Sequence, residues 1–352
     1  VKKNYNDVID SSDEIILDEY SLTYIVGELQ QYSILESTRD AVSDAFEVFI
    51  GHALKGGQGQ FFTPTNVVKM VVDLVDPTHE NKIIDPACGS GGFLVESLRY
   101  IWNKAEIEFD ALGWPKHEIE IEKQKIAIKN IRGIDKDYFL SKVAKAYMAL
   151  LGDGRGGVFC ENSLENPNHW NKTTKDEIKM EYFDVVMTNP PFGSKIPIKG
   201  EDILKQYDLA HTFKEDKKTG KYIKDKLQPK ETPQILFIER CLQLLKPNGK
   251  LAIVLPDGIL GNDSLTYLRE WILDKAQLLA VIDVPIETFM PYTSTKTSIL
   301  LLRKLKKDEL IEDYKIFMTI CETCGHNRRG QEIENDDIAL VSDKYKKWLK
   351  DA

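Results

Sequence analysis

The stretch Lys82-Ile83-Ile84-Asp85-Pro86-Ala87-Cys88-Gly89-Ser90-Gly91-Gly92-Phe93 decides the fold. Residues 82 to 85 read as a short buried strand that ends on a carboxylate, and a helical pattern follows over 91 to 106. Between them the glycines at 89, 91 and 92 permit a sharp turn and close approach of a ligand, while the helix end presents free backbone N–H groups. The turn lacks the Lys and Ser/Thr of a phosphate loop, which disfavours a kinase-like use. Asp135 ends the next predicted strand, Ile131 to Asp135, where an acid accepts hydrogen bonds from two ribose hydroxyls. Turn and acid together point to a nucleoside-containing cofactor and leave a dinucleotide open.

Outward from this core, strand and helix patterns alternate. Helices are expected from a Thr65 cap through Val75 and over 137 to 151, and a polar amphipathic one after Gly113-Trp114-Pro115. Further strands are expected at 157 to 161, 183 to 188, 251 to 255, 278 to 284 and 297 to 302. Strands separated by helices predict an α/β fold, a mostly parallel sheet covered on both faces. The stripe Gln234, Phe237, Ile238, Cys241, Leu242 and Leu245 is an apolar helix face that Lys246-Pro247-Asn248-Gly249 stops, so Cys241 is a core residue. Residues 193 to 230 interrupt the rhythm with ten lysines against six acids, and read either as a solvated excursion or as a flap that grips a phosphate backbone.

Asn189-Pro190-Pro191-Phe192 follows the apolar run Val185-Val186-Met187 and so stands at the carboxyl edge of a strand, where open α/β sheets hold ligands. An Asn oxygen and a proline carbonyl each accept one N–H of an exocyclic amine, Phe192 can stack on a base, and the prolines stiffen the presentation.

With Phe61-Phe62-Thr63-Pro64 upstream, these two motifs resemble the set found in amino DNA methyltransferases of the N6-adenine family, closest to the modification subunits of type I restriction-modification systems. The resemblance covers roughly residues 55 to 330, and the combination is more specific than either motif; NPP[FY]-like motifs also occur in protein glutamine and RNA methyltransferases. It implies a Rossmann-like, S-adenosylmethionine-dependent methyltransferase sheet with helices on both faces, preceded by a small helical segment. In that reading Phe62, Thr63 and Pro64 border the methionine end of the cofactor. Asp85, Ala87 and the turn Gly89, Ser90, Gly91 and Gly92 approach its amino acid and sugar. Asp135 holds the ribose, and Asn162 with Ser163 approaches the adenine, although the family usually has Asp where this chain has Asn162. Asn189, Pro190, Pro191 and Phe192 handle a flipped target adenine, and Phe289 or Tyr292 reads either as a second contact to the base or as a packing residue. Asp257 is expected near the ligand edge, either as a substrate contact or as a turn brace.

The resemblance further implies methyl transfer to adenine N6 in double-stranded DNA, with a separate specificity subunit and a restriction subunit as partners and a second copy of the modification subunit as a further candidate. N4-cytosine methylation shares the acceptor geometry. A protein or RNA methyltransferase, or a catalytically silent assembly subunit, are the remaining alternatives.

Composition bounds these readings. The formal charge is -9, and residues 1 to 55 carry four Lys or Arg against eleven Asp or Glu, so DNA binding needs a local basic surface or a basic partner. Cysteines 88, 160, 241, 321 and 324 form no regular disulfide framework, and no apolar run reaches membrane-spanning length; a reduced cytoplasmic protein is expected. Cys321-x-x-Cys324-Gly-His326 provides three potential zinc ligands where a structural site takes four, so no metal is expected, and Arg328 and Arg329 read as DNA-backbone or local structural contacts. The expected organisation is a helical lead-in over 1–57, a catalytic domain over 58–330 containing the lysine-rich insert 193–230, and a helical extension over 331–352. The lead-in rests on Tyr24, Leu29, Tyr32, Leu35 and apolar residues through Leu54, and is expected to pad one edge of the catalytic domain or to bind a partner. The chain begins with Val1, as expected of a processed protein or a fragment.

Overall fold

The computed structural model describes residues 14–32, 63–151, 157–193, 196–291 and 293–351. Eight strands build one sheet: β1 (Ile83–Asp85), β2 (Ile131–Asp135), β3 (Val158–Cys160), β4 (Phe183–Thr188), β5 (Leu245–Pro256), β6 (Ala276–Val284), β7 (Thr297–Lys304) and β8 (Phe317–Ile320). Their spatial order is β8-β6-β7-β5-β4-β1-β2-β3. All neighbouring pairs are parallel except those of β7, which runs antiparallel to both β5 and β6. The mostly parallel α/β sheet expected from the sequence is therefore present, and β8 is an addition that the patterning did not reveal.

Successive strand residues face opposite layers, and both layers are apolar, as a parallel sheet requires. Ile83, Val185 and Met187 enter one core cluster, while Ile84 and Val186 enter the other. The main helices are α1 (Glu19–Leu29), α2 (Thr65–Val75), α3 (Gly92–Ala111), α4 (Lys116–Asn130), α5 (Tyr138–Leu151), α6 (Pro233–Leu244), α7 (Thr266–Lys275) and α8 (Val341–Asp351). The first layer is filled by α2, α3, α4, α5 and α8, and the second by α6 and α7.

Several local expectations change. Thr65 is the first residue of α2, and Pro64 holds the N-cap position in its place. The turn at Lys246 to Gly249 is absorbed into β5 as a register shift, with Asn248 at φ 66°. α1 buries none of its residues, so this part of the lead-in does not pad the catalytic domain. The glycine break at 55 to 60 and the apolar positions from Leu35 to Leu54 lie outside the described residues. The segment 331–352 opens with a strand, Glu332–Asp336, paired with Cys324–His326; α8 then joins the main core, its Tyr345 ring 5.3 Å from Phe317.

The lysine-rich insert is folded. Ile198–Lys199 pairs with Lys230–Glu231, and His211–Glu215 forms a hairpin with Tyr222–Leu227. Leu204, Tyr207 and Ala210 bury against Leu164, Leu236 and Phe237 in a third apolar cluster. Phe213 stacks on Tyr267 at 4.7 Å, which fixes the hairpin to the start of α7. Among the described residues no helix is long and apolar enough to cross a membrane.

Candidate functional site

Strands β4, β1 and β2 are adjacent and parallel, so the chain leaves all three at one edge of the sheet. Asp85 ends β1, 2 % exposed, and its Oδ1 accepts the Ala87 N–H at 3.0 Å, which folds the chain back over the strand end. Cys88 donates its N–H to the Ile134 carbonyl at 3.0 Å, and Gly89 donates to Asp135 Oδ2 at 2.9 Å. The turn after β1 is thus laced to the end of β2.

Two of its glycines are required by backbone geometry: Gly89 has φ 53° and Gly91 φ 92°, the left-handed region that side chains disfavour. A Cβ on Gly91 would also lie 3.2 Å from that of Ala144, so a side chain would press the turn away from α5. Cys88 is buried beneath the turn, and burial pushes its thiol well above the ordinary range, which removes it as a nucleophile at neutral pH.

Burial raises the Asp85 carboxyl to about 7, with the negative Asp135 nearby adding to the shift. Asp135 is also raised, again by burial first, even though Gly89 and Asp137 both donate N–H bonds to it. Two acids sharing a partly desolvated edge favour a ligand that brings hydroxyl donors or positive charge.

The third wall follows β3. Asn162 Oδ1 accepts the Leu164 N–H at 3.2 Å, and the Asn162 carbonyl accepts the Trp170 indole N–H at 3.0 Å. Ser163 is buried and its hydroxyl donates to the Pro86 carbonyl, so this proton braces one wall against another.

After β4, Asn189 Nδ2 donates to the Thr63 hydroxyl at 3.1 Å, while Asn189 Oδ1 is buried with no partner among the described residues. Pro190 is buried, and Pro191 and Phe192 are half-buried. The Gly193 N–H donates to Gln234 Oε1 at 3.3 Å, pinning the end of this segment to α6. Phe192 also packs against the first core cluster, so only part of its ring is open.

These loops enclose one cavity of about 770 Å³. Of the residues expected at the site, Thr63, Asp85, Ala87, Gly89, Ser90, Gly92, Asp135, Asn162, Ser163, Asn189, Pro190, Pro191 and Phe192 line it. Pro64 and Gly91 do not, acting instead at the α2 N-cap and in the turn, and Phe62 lies outside the described residues. Sequence reasoning missed Lys136, Leu140, Ile198, Pro233 and Phe237, which also line the cavity. Lys136 carried a signal, being next to Asp135. Phe237 carried none, because on α6 it reads as one more core position.

Other expectations resolve differently. Phe289 is 2 % exposed in the first core cluster and cannot stack on an incoming base; Tyr292 lies outside the described residues. Asp257 accepts the Ser298 hydroxyl at 2.8 Å and lines a second concavity of about 730 Å³ over β6 and β8, which shares no residue with the first. Its partner makes it a brace between β5 and β7. His326 Nε2 meets the Glu287 carbonyl at 3.0 Å and Arg328 donates to the Glu287 carboxylate at 2.9 Å, so both serve local structure.

The cavity fits a cofactor with a hydroxylated sugar and a cationic end: Asp135 and Asp85 supply the acceptors, and the glycine turn allows close approach. The unpartnered Asn189 Oδ1 is a further acceptor at the same cavity, available to a donor on a second ligand.

The model of the family described as N-6 DNA Methylase matches residues 37–352. The chain is similar to the type I restriction enzyme EcoEI methylase subunit of Escherichia coli, 26% identical over 288 residues, which is 80% of this chain and 50% of that protein. It is 25% identical over 334 residues to the type I restriction enzyme MjaVII methylase subunit of Methanocaldococcus jannaschii, 93% of this chain and 51% of the relative. The chain therefore spans about half the length of the curated relatives it matches. A modification subunit of a putative type I restriction enzyme from Vibrio vulnificus YJ016 shares the fold with a TM-score of 0.67 at 20% identity, over 96% of this chain and 63% of that one.

Proposed function

This chain belongs to the N-6 DNA methylase family, and we propose that it transfers the methyl group of S-adenosylmethionine to N6 of an adenine flipped out of double-stranded DNA, as the modification subunit of a restriction-modification system. The observation that carries the reading is Asn189 Oδ1, buried without a partner among the described residues, at the cavity that Asp85, Asp135 and the glycine turn also line.

When bound, S-adenosylmethionine supplies a methyl group on a positively charged sulfonium, which needs no further activation. Asp135 accepts the ribose hydroxyls, and Asp85, Ala87 and the turn from Gly89 to Gly92 hold the sugar and amino acid portion. Thr63 borders the methionine end, and Pro64 caps α2 behind it. Asn162 and Ser163 form the wall on the adenine side.

The target amine has its lone pair delocalised into the ring. Asn189 Oδ1 and the Pro190 carbonyl accept its two N–H bonds, which favours a pyramidal nitrogen with its lone pair available for attack; as the N–C bond forms the S–C bond breaks with its electron pair left on sulfur, and one N6 proton passes to solvent. The half-buried Phe192 offers the exposed part of its ring to the base, helping to offset the few kcal/mol needed to unstack it. No side-chain nucleophile or pair of carboxylates is required: holding the acceptor nitrogen in line is the main contribution of the chain.

Phosphate contacts come from the insert hairpin. Lys214 is 2.7 Å from Asp225 and Lys224 is 2.5 Å from Asp208, so these two are partly neutralised. Lys217, Lys218, Lys221 and Lys226 are exposed and remain for DNA. The relatives are methylase subunits of type I restriction enzymes by name, which supports assembly of this chain with other subunits; a specificity subunit, a restriction subunit and a second copy of this chain are the partners proposed.

The test is methyl transfer from labelled S-adenosylmethionine to unmethylated genomic DNA, with and without the native specificity subunit, followed by nucleoside analysis. N6-methyladenine is expected. N4-methylcytosine would replace the base assignment, and no transfer by the complete assembly would overturn the reading.

A further inference from the structure

The buried polar network on the far side of the cavity wall is not used by the chemistry above. Arg240 on α6 is 1 % exposed, and its Nε and Nη2 donate to the Tyr207 hydroxyl at 2.9 and 2.6 Å. Nη2 also reaches the Glu165 carbonyl at 3.2 Å and Gln206 Oε1 at 3.1 Å. Tyr207, itself 1 % exposed, donates its hydroxyl proton to the Leu164 carbonyl at 2.9 Å. The preceding residue, Glu239, accepts the N–H groups of Asp208 and Leu209 at 2.9 and 2.8 Å.

A buried guanidinium is costly, and here its donors go to neutral oxygens and to the Met180 thioether sulfur rather than to a carboxylate. An apolar side chain of similar volume would fill the space without that cost. What the guanidinium adds is direction: it joins three segments that each contribute to the cavity. Leu164 follows Asn162 and Ser163 on the wall after β3; Tyr207 belongs to the insert, whose Ile198 lines the cavity; Arg240 sits one helical turn beyond Phe237, which lines it too.

We propose that Tyr207 and Arg240 form a positioning pair that holds the Asn162–Leu164 wall against the insert, making the insert part of the cofactor site as well as a DNA-facing element. The pair touches neither cofactor nor base. Its effect is on cofactor affinity through the placement of a wall, and it rests on the reading that the cavity holds S-adenosylmethionine.

The experiment is calorimetric titration of S-adenosylmethionine into wild type, Tyr207→Phe and Arg240→Lys, beside thermal unfolding, DNA affinity and initial rates in the complete assembly. Tyr207→Phe keeps the ring and deletes the hydroxyl that links Arg240 to Leu164. It should weaken cofactor binding roughly 3-fold to 10-fold, the range expected for one hydrogen bond. The KM for the cofactor should rise in step, with kcat at saturating cofactor and DNA affinity within about twofold of wild type. Arg240→Lys, which preserves a donor to Tyr207, should retain more cofactor affinity than Arg240→Met; should the latter fail to fold, Tyr207→Phe alone decides. A merely structural role would lower the unfolding temperature of Tyr207→Phe and leave the dissociation constant of the folded protein unchanged, and that result overturns the proposal. Failure of wild type to bind S-adenosylmethionine would instead overturn the cavity reading beneath it.

Discussion

Asn189 donates Nδ2 to the Thr63 hydroxyl at 3.1 Å and leaves Oδ1 buried without a partner among the described residues. The residue that begins the acceptor motif is therefore oriented by one that lies 126 positions upstream, beside the N-terminus of α2. One end of the amide is used by the fold, and the other lies without a described partner at the cavity.

Asn189→Ala should consequently lower turnover at least 100-fold, about 2.7 kcal/mol of lost transition-state stabilisation, with cofactor affinity nearly unchanged. Thr63→Val should lower it less, because the acceptor remains and only its orientation relaxes. Initial rates and calorimetric cofactor titration in the complete assembly check both; a near wild-type rate for Asn189→Ala would remove it from the site.

Asp135 carries a double duty, since it accepts the Gly89 and Asp137 N–H groups and faces the cavity. Asp135→Ala should weaken S-adenosylmethionine binding by about 1.5 to 3 kcal/mol, roughly 10-fold to 150-fold. Asp135→Asn retains a single neutral acceptor and should fall between the two. Equal dissociation constants for wild type and folded Asp135→Ala would show that it does not hold the sugar.

Asp85 predicts a pH dependence of stability. Its carboxyl rises from an ordinary 3.8 to about 7 on burial, so between those values the folded chain binds more protons than the unfolded one. The unfolding free energy contributed by this group should then fall as pH rises from about 4 to about 7, by up to about 1.4 kcal/mol per pH unit. Asp85→Asn should flatten that slope. Denaturant titrations at pH 5, 6 and 7 measure it, and parallel slopes in the two proteins would contradict the assignment.

The hairpin lysines differ in what they have to give. Replacing Lys217, Lys218, Lys221 and Lys226 together by glutamine should lower DNA affinity and reduce the slope of log binding constant against log salt, by about 0.9 for each phosphate that the variant no longer neutralises. Adding Lys214 and Lys224 to the set should change the slope little more, because both are engaged by acids. Cofactor affinity should hold throughout. A salt slope identical to that of wild type would place the phosphate-binding groups elsewhere.

Much of this was legible in the residue order because the signals are local. Ile83 to Asp85, Ile131 to Asp135 and Phe183 to Thr188 announce buried strands by apolar runs that end in polar residues, and Gly89 and Gly91 mark a turn that only glycine relaxes into. That was enough for every strand of the sheet but β8, and for most of the residues that line the cavity at its edge. The insert was not legible, since its hairpin strands expose lysines along much of their length and bury little, and only the short His211–Glu215 strand alternates at all. Its place against Leu164, Phe237 and Tyr267 depends on packing between segments far apart in the chain. The same holds for Phe289, which the resemblance offered as a base contact or a packing residue and which packing encloses. Local patterning determined which residues leave the strands at the ligand edge. Tertiary packing decided which of their atoms remain free, because a hydrogen-bond partner such as Thr63 for Asn189, or Pro86 for Ser163, is chosen by proximity in space that no spacing in the chain encodes.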